Sequence, residues 1–377
     1  MSESTDTVAL YVHVPFCQSL CPYCAFYKKP WSSDEEIHYL NAIKIELDHY
    51  KNNFAPITLH SIFLGGGTPS ILSPKTLETL LTYIHQTFPR TTTCESTSEM
   101  NPESVTQDKL TILKNFGFNR ISIGVQSFQT SELQFLGRTH SQNKVVEAIQ
   151  LLHKNNLKNF NIDLIFGLKN ATIPLLKNTL DRAIALEPTH LSTYALSIED
   201  GTPFEREHVS PMDDDHQLTH YRYIRNYLKK NGYAQYEVSA FSKPGFQSQH
   251  NLTYWTLNPY IGIGPSASSF YLNQHYQQPK NLTTYCKNPI GPIPTNHTPA
   301  PNNSELIHDY ISTHLRLMKG LSLANFQSRF NSNFEEEFFT PLAKLYNLKL
   351  LKKQGAYLRV TTKGLYLLNT VLLELMP

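Results

Sequence analysis

An α/β fold built on a mainly parallel sheet is what this sequence predicts, and three observations carry the prediction. Short apolar, β-branched runs alternate with helical stretches up to about residue 200, a glycine-rich turn ends one of those runs, and the rhythm changes afterwards. At roughly 150 residues per domain, 377 residues make two or three domains, enough to bury a core without disulfide or metal staples. The 33 Lys+Arg nearly balance 31 Asp+Glu, and no block of like charge stands out. That removes the electrostatic motive for nucleic acid or an acidic membrane surface as main partner. The amino-terminal MSESTDTVALYVHVPFC has no basic region and no apolar stretch of signal-peptide length, and no run approaches the ~20 apolar residues of a spanning helix. The expectation is a cytoplasmic protein with no integral membrane segment.

The elements follow in order. ValAlaLeuTyrValHisVal (8–14) reads as the first strand and stops at Pro15 in a cysteine-bearing loop; residues 33–52 open with Ser-Asp-Glu-Glu and keep helical spacing; 61–64 is an apolar run entering GlyGlyGlyThrPro (65–69). The alternation continues with helix 74–88, strand 94–99, helix 106–115, strand 119–125, helix 142–155, strand 160–166, helix 174–186 and strand 190–196. Six βα-type units require a doubly wound sheet or an open or closed barrel, with functional loops at the strands' carboxyl ends. Past residue 200 come a helix at 213–231, an aromatic-rich stretch 233–273 and a Pro/Asn-rich segment 278–303 that reads as a linker or long surface loop. From 304 to 377, helical patterns at 305–318, 322–330, 335–346 and from Thr362, with a short strand pair before the last, suggest a helical module with a small β wing. It lacks a dense basic stripe, which favours a packing or lid role over DNA contact.

Five cysteines include three within CysGlnSerLeuCysProTyrCys (17–24), directly after a strand. An odd count with this spacing suits a metal site in a reducing compartment. Three thiolates on one loop can hold three irons of a [4Fe-4S] cube and leave the fourth iron open to a small chelator. The bland alternative is zinc completed by His13, the nearest histidine. Cys94 and Cys286 lie outside the motif and read as buried or incidental thiols.

With these residues the chain resembles the radical S-adenosylmethionine (SAM) superfamily. TyrValHisValProPheCys (11–17) is similar to its lead-in to the cluster, and GlyGlyGlyThrPro (65–69) to its strand-end glycine motif. GluMetAsnPro (99–102), AsnArgIleSerIleGlyValGlnSerPhe (119–128), GlyArg (137–138) and AsnIleAspLeuIlePheGly (161–167) extend the resemblance to the HemN/HemW branch, that of the oxygen-independent coproporphyrinogen III oxidases and their haem-chaperone relatives. The resemblance covers nearly the whole chain. It implies a partial (β/α)6 radical SAM barrel over 1–200, a branch-specific extension over 201–277, a linker over 278–303 and a C-terminal helical, winged-helix-like domain over 304–377. It implies a [4Fe-4S] cluster on Cys17, Cys21 and Cys24, and SAM contacts from Tyr11, Gly66, Gly67, Thr68, Glu99, Gln126, Arg138 and Asp163. The set is chemically apt: Glu99 and Asp163 can accept from hydroxyls or ammonium, and Arg138 can pair with a carboxylate.

Within the branch, the third cluster cysteine is followed by Ala25 and Phe26, where the oxidases carry Gly-Cys, and the first strand starts near residue 8, without the extension the oxidases place ahead of it. Both departures point to the chaperone side, with the oxidase, acting in porphyrin metabolism by radical decarboxylation, as the alternative. HisAsnLeuThrTyrTrp (250–255) resembles a block proposed for haem contact, which makes His250 the expected axial ligand, against the plain reading of a hydrogen-bonded structural histidine. Lys169 stands where the branch has proline and is expected to alter one loop. The implied partners are haem as cargo, haem-acceptor proteins and an electron donor such as flavodoxin or ferredoxin, with a homodimer among the assemblies allowed and no nucleic acid.

Overall fold

The six strands expected from alternation all form, the first three longer than their apolar runs suggest: β1 Asp6–Val14, β2 Ile57–Gly66, β3 Arg90–Met100, β4 Arg120–Gln126, β5 Phe160–Phe166 and β6 His190–Ala195. The computed structural model describes residues 6–54, 56–294 and 302–376. All five neighbouring pairs in the order β1 to β6 are parallel, as strands joined by crossover helices must be. Helices sit between them, several with the start signals that composition provides: Ser73 accepts from the Thr76 amide ahead of Pro74 at the helix start, and Ser141 caps Gln142–Lys154.

Period-2 alternation divides the sheet's two faces. Val8, Leu10, Val12 and Val14 of β1, with Ile62 and Leu64 of β2 and Ile121, Ile123 and Val125 of β4, join the main apolar core with the surrounding helices. The opposite, concave face is polar: His13, Ser61, Glu99, Arg120, Ser122, Asn161, Asp163 and His190 alternate with those core residues. This inverted arrangement, apolar outside and polar within, makes the sheet the wall of a lumen.

The sheet stays open. Tyr260–Ile263 (β8) pairs in parallel with the free edge of β1, and Ala240–Ser242 (β7) pairs antiparallel with β6, so β1 and β6 never meet and the barrel is partial. Beyond β8 a hairpin, Ser268–Tyr271 and Gln274–Gln277, finishes one side. The short helix Gln249–Trp255 lies against the concave face, with His250 stacked on Phe63 of β2 at 5.0 Å between ring centroids. Residues 201–277 therefore complete the sheet at both sides.

The Pro/Asn-rich segment packs onto the fold where it is described. In its described part, 278–294, Gln278 and Tyr285 are buried and both donate to Glu46, as does the Gly264 amide at 3.0 Å. Pro/Asn content masked the packing because the holding groups are single side chains spread over the fold; residues 295–301 lie outside the described set. Burial pushes the Glu46 carboxyl up to about 8, with the three hydrogen bonds opposing. A folded-state value above the unfolded one makes this group's contribution full below about 4.5 and lost as pH rises through about 8. Thermal scans should show Glu46→Gln lacking this downward slope between those limits, a wild-type-minus-variant difference of a few kcal/mol.

The C-terminal module has its own core of Phe326, Phe334, Leu345, Leu358 and Val371, continued onto Leu257 and Phe270 of the barrel side. A three-stranded antiparallel wing, Leu321–Ser322, Tyr357–Val360 and Leu351–Gln354, packs beside Leu323–Phe330. Two expected helices divide: 335–346 breaks at Phe338 and the last at Leu367, both with non-helical backbone. No described helix is long and apolar enough to cross a membrane.

Candidate functional site

The carboxyl ends of β1 to β6 enclose a cavity of about 530 Å³, and Cys17, Cys21 and Cys24 all line it. The cysteine loop is pinned by its backbone: the Gly67 amide donates to Val14 at 2.7 Å, the Thr68 amide to Phe16 at 2.8 Å and the Trp31 amide to Cys17 at 3.0 Å. Gly66 and Gly67 are required there. Gly66 has φ 106°, and a Cβ at Gly67 would stand 2.6 Å from the Phe16 carbonyl. All three thiols are free, and burial pushes those of Cys17 and Cys24 up, opposed by Thr68 at the first and Lys28 at the second. Three soft donors on one cavity wall, with no fourth cysteine lining it, fit a cluster that keeps one iron open.

Zinc on His13 does not fit this conformation, because both ring nitrogens are engaged, Nδ1 with the Tyr11 hydroxyl at 3.0 Å and Nε2 with the Tyr27 carbonyl at 2.9 Å. Cys94 is buried in the main core, and the Cys286 thiol meets the His38 carbonyl.

Of the eight residues expected to meet SAM, seven line the cavity: Gly66, Gly67, Thr68, Glu99, Gln126, Arg138 and Asp163. Tyr11 does not; it lies behind Gly65 beside Glu99, its hydroxyl on His13. A hydrogen-bonded chain connects the loops. Thr68 Oγ1 donates to Cys17 Sγ at 3.6 Å and accepts from Asn101, whose Oδ1 accepts from Arg138 Nη2 at 2.7 Å; the same Nη2 donates to the Gly124 carbonyl, and Nη1 to Cys21 Sγ at 3.6 Å. Arg138 Nε is buried without a partner among the described residues. Asn101 is the functional residue the sequence reading passed over: it stands inside GluMetAsnPro, yet only the folded loops reveal that it joins Thr68 to Arg138.

Gln126 reaches the cavity by a local distortion. β4 slips register against β5 between Gly124 and Gln126, and Gln126 adopts φ 69°, a strained backbone for a side chain of this type. Across from it, Asp163 accepts from Ser122 at 2.9 Å and from Asn161 at 2.8 Å. Burial and the neighbouring Asp163 push Glu99 up to about 8, opposed by the Gly66 amide and Arg120; burial also raises Asp163. Two buried carboxyls at one cavity, both raised and one of them partly by the other, form a site that a positively charged ligand stabilises by favouring the ionised forms.

His250 lies away from this cavity. It is 1% exposed, with Nδ1 on Ser61 at 3.0 Å, Nε2 on the Tyr254 hydroxyl at 2.7 Å, and its amide donating to Glu95. Burial pulls its pKa down to about 3, so the ring is neutral, but no nitrogen is left for an iron. In this conformation His250 is held within the lumen, and HisAsnLeuThrTyrTrp forms a helix that fills the barrel.

Two family models match the chain, the radical SAM superfamily over residues 11–183 and the HemN C-terminal domain over 303–367. The heme chaperone HemW of Lactococcus lactis is 33% identical over 375 residues, covering 96% of this chain and 95% of that protein. HemW of Bacillus subtilis is 30% identical over 380 residues, 96% and 97% of the two chains, and HemW of Escherichia coli K12 is 40% identical over 266 residues, 69% of each. The solved structure of coproporphyrinogen III oxidase (HemN) from Escherichia coli, a radical SAM enzyme, superposes with TM-score 0.83 at 22% identity, over 99% of this chain and 90% of that one. At that identity the likeness establishes the fold alone.

Proposed function

The chain belongs to the HemW family within the radical SAM superfamily, and from that premise we propose that it carries a [4Fe-4S] cluster on Cys17, Cys21 and Cys24, binds SAM beside it, and binds haem and passes it to acceptor proteins. The observation that supports this best is the convergence of three free thiols with Thr68, Glu99, Arg138 and Asp163 on one cavity. When bound, a cluster of this kind supplies one electron and an open iron for an amino-acid chelator. The chain's own groups bind and orient. Gly66 and Gly67 let a ligand approach the backbone, Arg138 offers an unpartnered Nε–H to a carboxylate, and Glu99 with Asp163 meets positive charge. A thiolate cluster needs a reducing compartment, which puts the protein in the cytoplasm with a one-electron donor such as flavodoxin or ferredoxin.

Anoxically reconstituted protein given SAM, reductant and coproporphyrinogen III should form no protoporphyrinogen IX, and should give a Soret band on haem titration and lose it to an apo-acceptor. Decarboxylation at enzyme-like rates would instead establish an oxidase. In the same preparation Arg138→Lys should weaken SAM roughly tenfold, about 1.4 kcal/mol, because an ammonium cannot reproduce the guanidinium's fork. Calorimetry with cluster content monitored measures this; unchanged affinity would remove Arg138 from the SAM site.

A further inference from the structure

A hydrogen-bonded chain runs through the barrel lumen, starting away from the SAM cavity and ending in it. Ser122, Asn161 and His190 are register partners across β4, β5 and β6, and period-2 spacing puts Asp163 on the same face of β5 as Asn161. His190 is fully buried and does not line the cavity, yet both ring nitrogens are engaged, Nδ1 with Asn161 Oδ1 at 2.7 Å and Nε2 with the Tyr236 hydroxyl at 2.8 Å. Asn161 passes the contact on. Its Nδ2 donates to Ser122 Oγ at 2.7 Å and to Asp163 Oδ1 at 2.8 Å, and Ser122 Oγ donates to Asp163 Oδ2 at 2.9 Å. Asp163 lines the cavity.

The chemistry of the partners fixes the direction of these bonds. A carboxylate accepts and does not donate, so the amide nitrogen of Asn161 faces Asp163 and its oxygen faces His190. That oxygen also accepts only, from Ser192 Oγ at 3.1 Å and from the imidazole, so His190 carries its proton on Nδ1. Nε2 is left to accept from Tyr236, whose oxygen accepts from the Ser248 amide at 3.3 Å. Every donor therefore points toward Asp163. His250, by contrast, meets two hydroxyls, of Ser61 and Tyr254, which suit either tautomer. Burial and the Arg120 guanidinium hold the His190 pKa well below the usual histidine range, which keeps the ring neutral. Around Asp163 stand Glu99 from β3, Arg120 from β4 and Tyr194 from β6. Burial raises its carboxyl, and the hydrogen bonds of Asn161, Ser122 and Ser192, with Arg120, oppose. Without the His190 donor, Asn161 Oδ1 keeps Ser192 alone, and the amide is free to turn its oxygen onto Asp163, where two acceptors would meet.

We propose that His190 is a positioning residue of the SAM site, which through Asn161 keeps Asp163 ionised and aimed into the cavity for the ligand's hydroxyl or ammonium donors. The assignment rests on the SAM-binding reading above and adds to it a residue that does not touch the ligand. Its test is SAM calorimetry on the full-length, cluster-loaded protein as a function of pH. Two amide substitutions discriminate. Asn at position 190 offers an N–H where Nδ1–H stands, whereas Gln reaches toward the Nε2 position and loses Asn161. His190→Gln should weaken SAM roughly tenfold at neutral pH. It should also move the acid limb of the affinity profile upward by about one unit, because a carboxyl with a higher pKa takes up its proton earlier as pH falls. His190→Asn should stay within about twofold of wild type with the limb in place. A histidine that merely fills space predicts the reverse order, since Gln is the closer match in volume. Wild-type affinity and profile in His190→Gln, or equal loss in both variants with the limb unmoved, would overturn the assignment and leave the SAM reading standing; a wild-type chain that binds no SAM would overturn both. Should neither variant fold, Tyr236→Phe decides. Losing that hydroxyl leaves nothing to hold the proton off Nε2, so SAM should weaken severalfold with the limb moved the same way, and unchanged affinity and profile there overturn the proposal.

Discussion

Cys17→Ala, Cys21→Ala and Cys24→Ala are each expected to reduce bound iron and acid-labile sulfide from full [4Fe-4S] loading to near none and to remove the cluster's visible absorbance. Three thiolates are the minimum that leaves one open corner, and the structure holds no replacement: the His13 nitrogens are spoken for by Tyr11 and Tyr27, Cys94 is in the main core, and Cys286 sits against His38. Cys94→Ala and Cys286→Ser should keep full loading. Metal analysis of anoxically purified protein decides the matter, and stoichiometric zinc in the wild type, or iron retained in any of the three variants, would refute the ligand assignment.

Gly67→Ala is expected to cost nearly as much function with far less change in fold. The added methyl would lie 2.6 Å from the Phe16 carbonyl oxygen and 3.0 Å from Cys17 Sγ. Backbone cannot step aside as a flexible side chain can, and the Gly67 and Thr68 amides tie this turn to Val14 and Phe16. The cysteine loop must move, and Cys17 moves with it. Overpacking of this kind costs about 1–3 kcal/mol, which lowers the melting temperature by several degrees; cluster occupancy and SAM binding should fall by roughly a hundredfold or more, about 3 kcal/mol. Iron content and SAM calorimetry measured beside a thermal scan separate the two effects. Normal cluster content in a variant that folds would show that the turn tolerates the methyl.

The parallel core was legible because each strand sends an apolar row outward to its helices, and such rows are continuous enough to read. Cys17, Cys21, Cys24 and the glycine turn were legible because their chemistry is local in sequence. What escaped was non-local. β8 is four residues long, and only the free edge of β1 selects it as a parallel strand. The helix Gln249–Trp255 is too short for periodicity to declare, and the hydrogen-bond partners of His250, Ser61 and Glu95, come from strands more than a hundred residues earlier. Asn101 and the Gln126 bulge likewise acquire meaning only when neighbouring loops meet.

The finishing of the sheet by residues 234–277 also bears on how the chain is made. Synthesis delivers β1 to β6 first, yet the outer edge of β6 waits for Ala240–Ser242 and that of β1 for Tyr260–Ile263. Until those segments leave the ribosome, the nascent polypeptide presents two unpaired borders and a hollow of unsatisfied polar groups, the state in which strands recruit foreign ones. Shortened versions ending near residue 200 inherit that condition permanently, and aggregation is their expected fate.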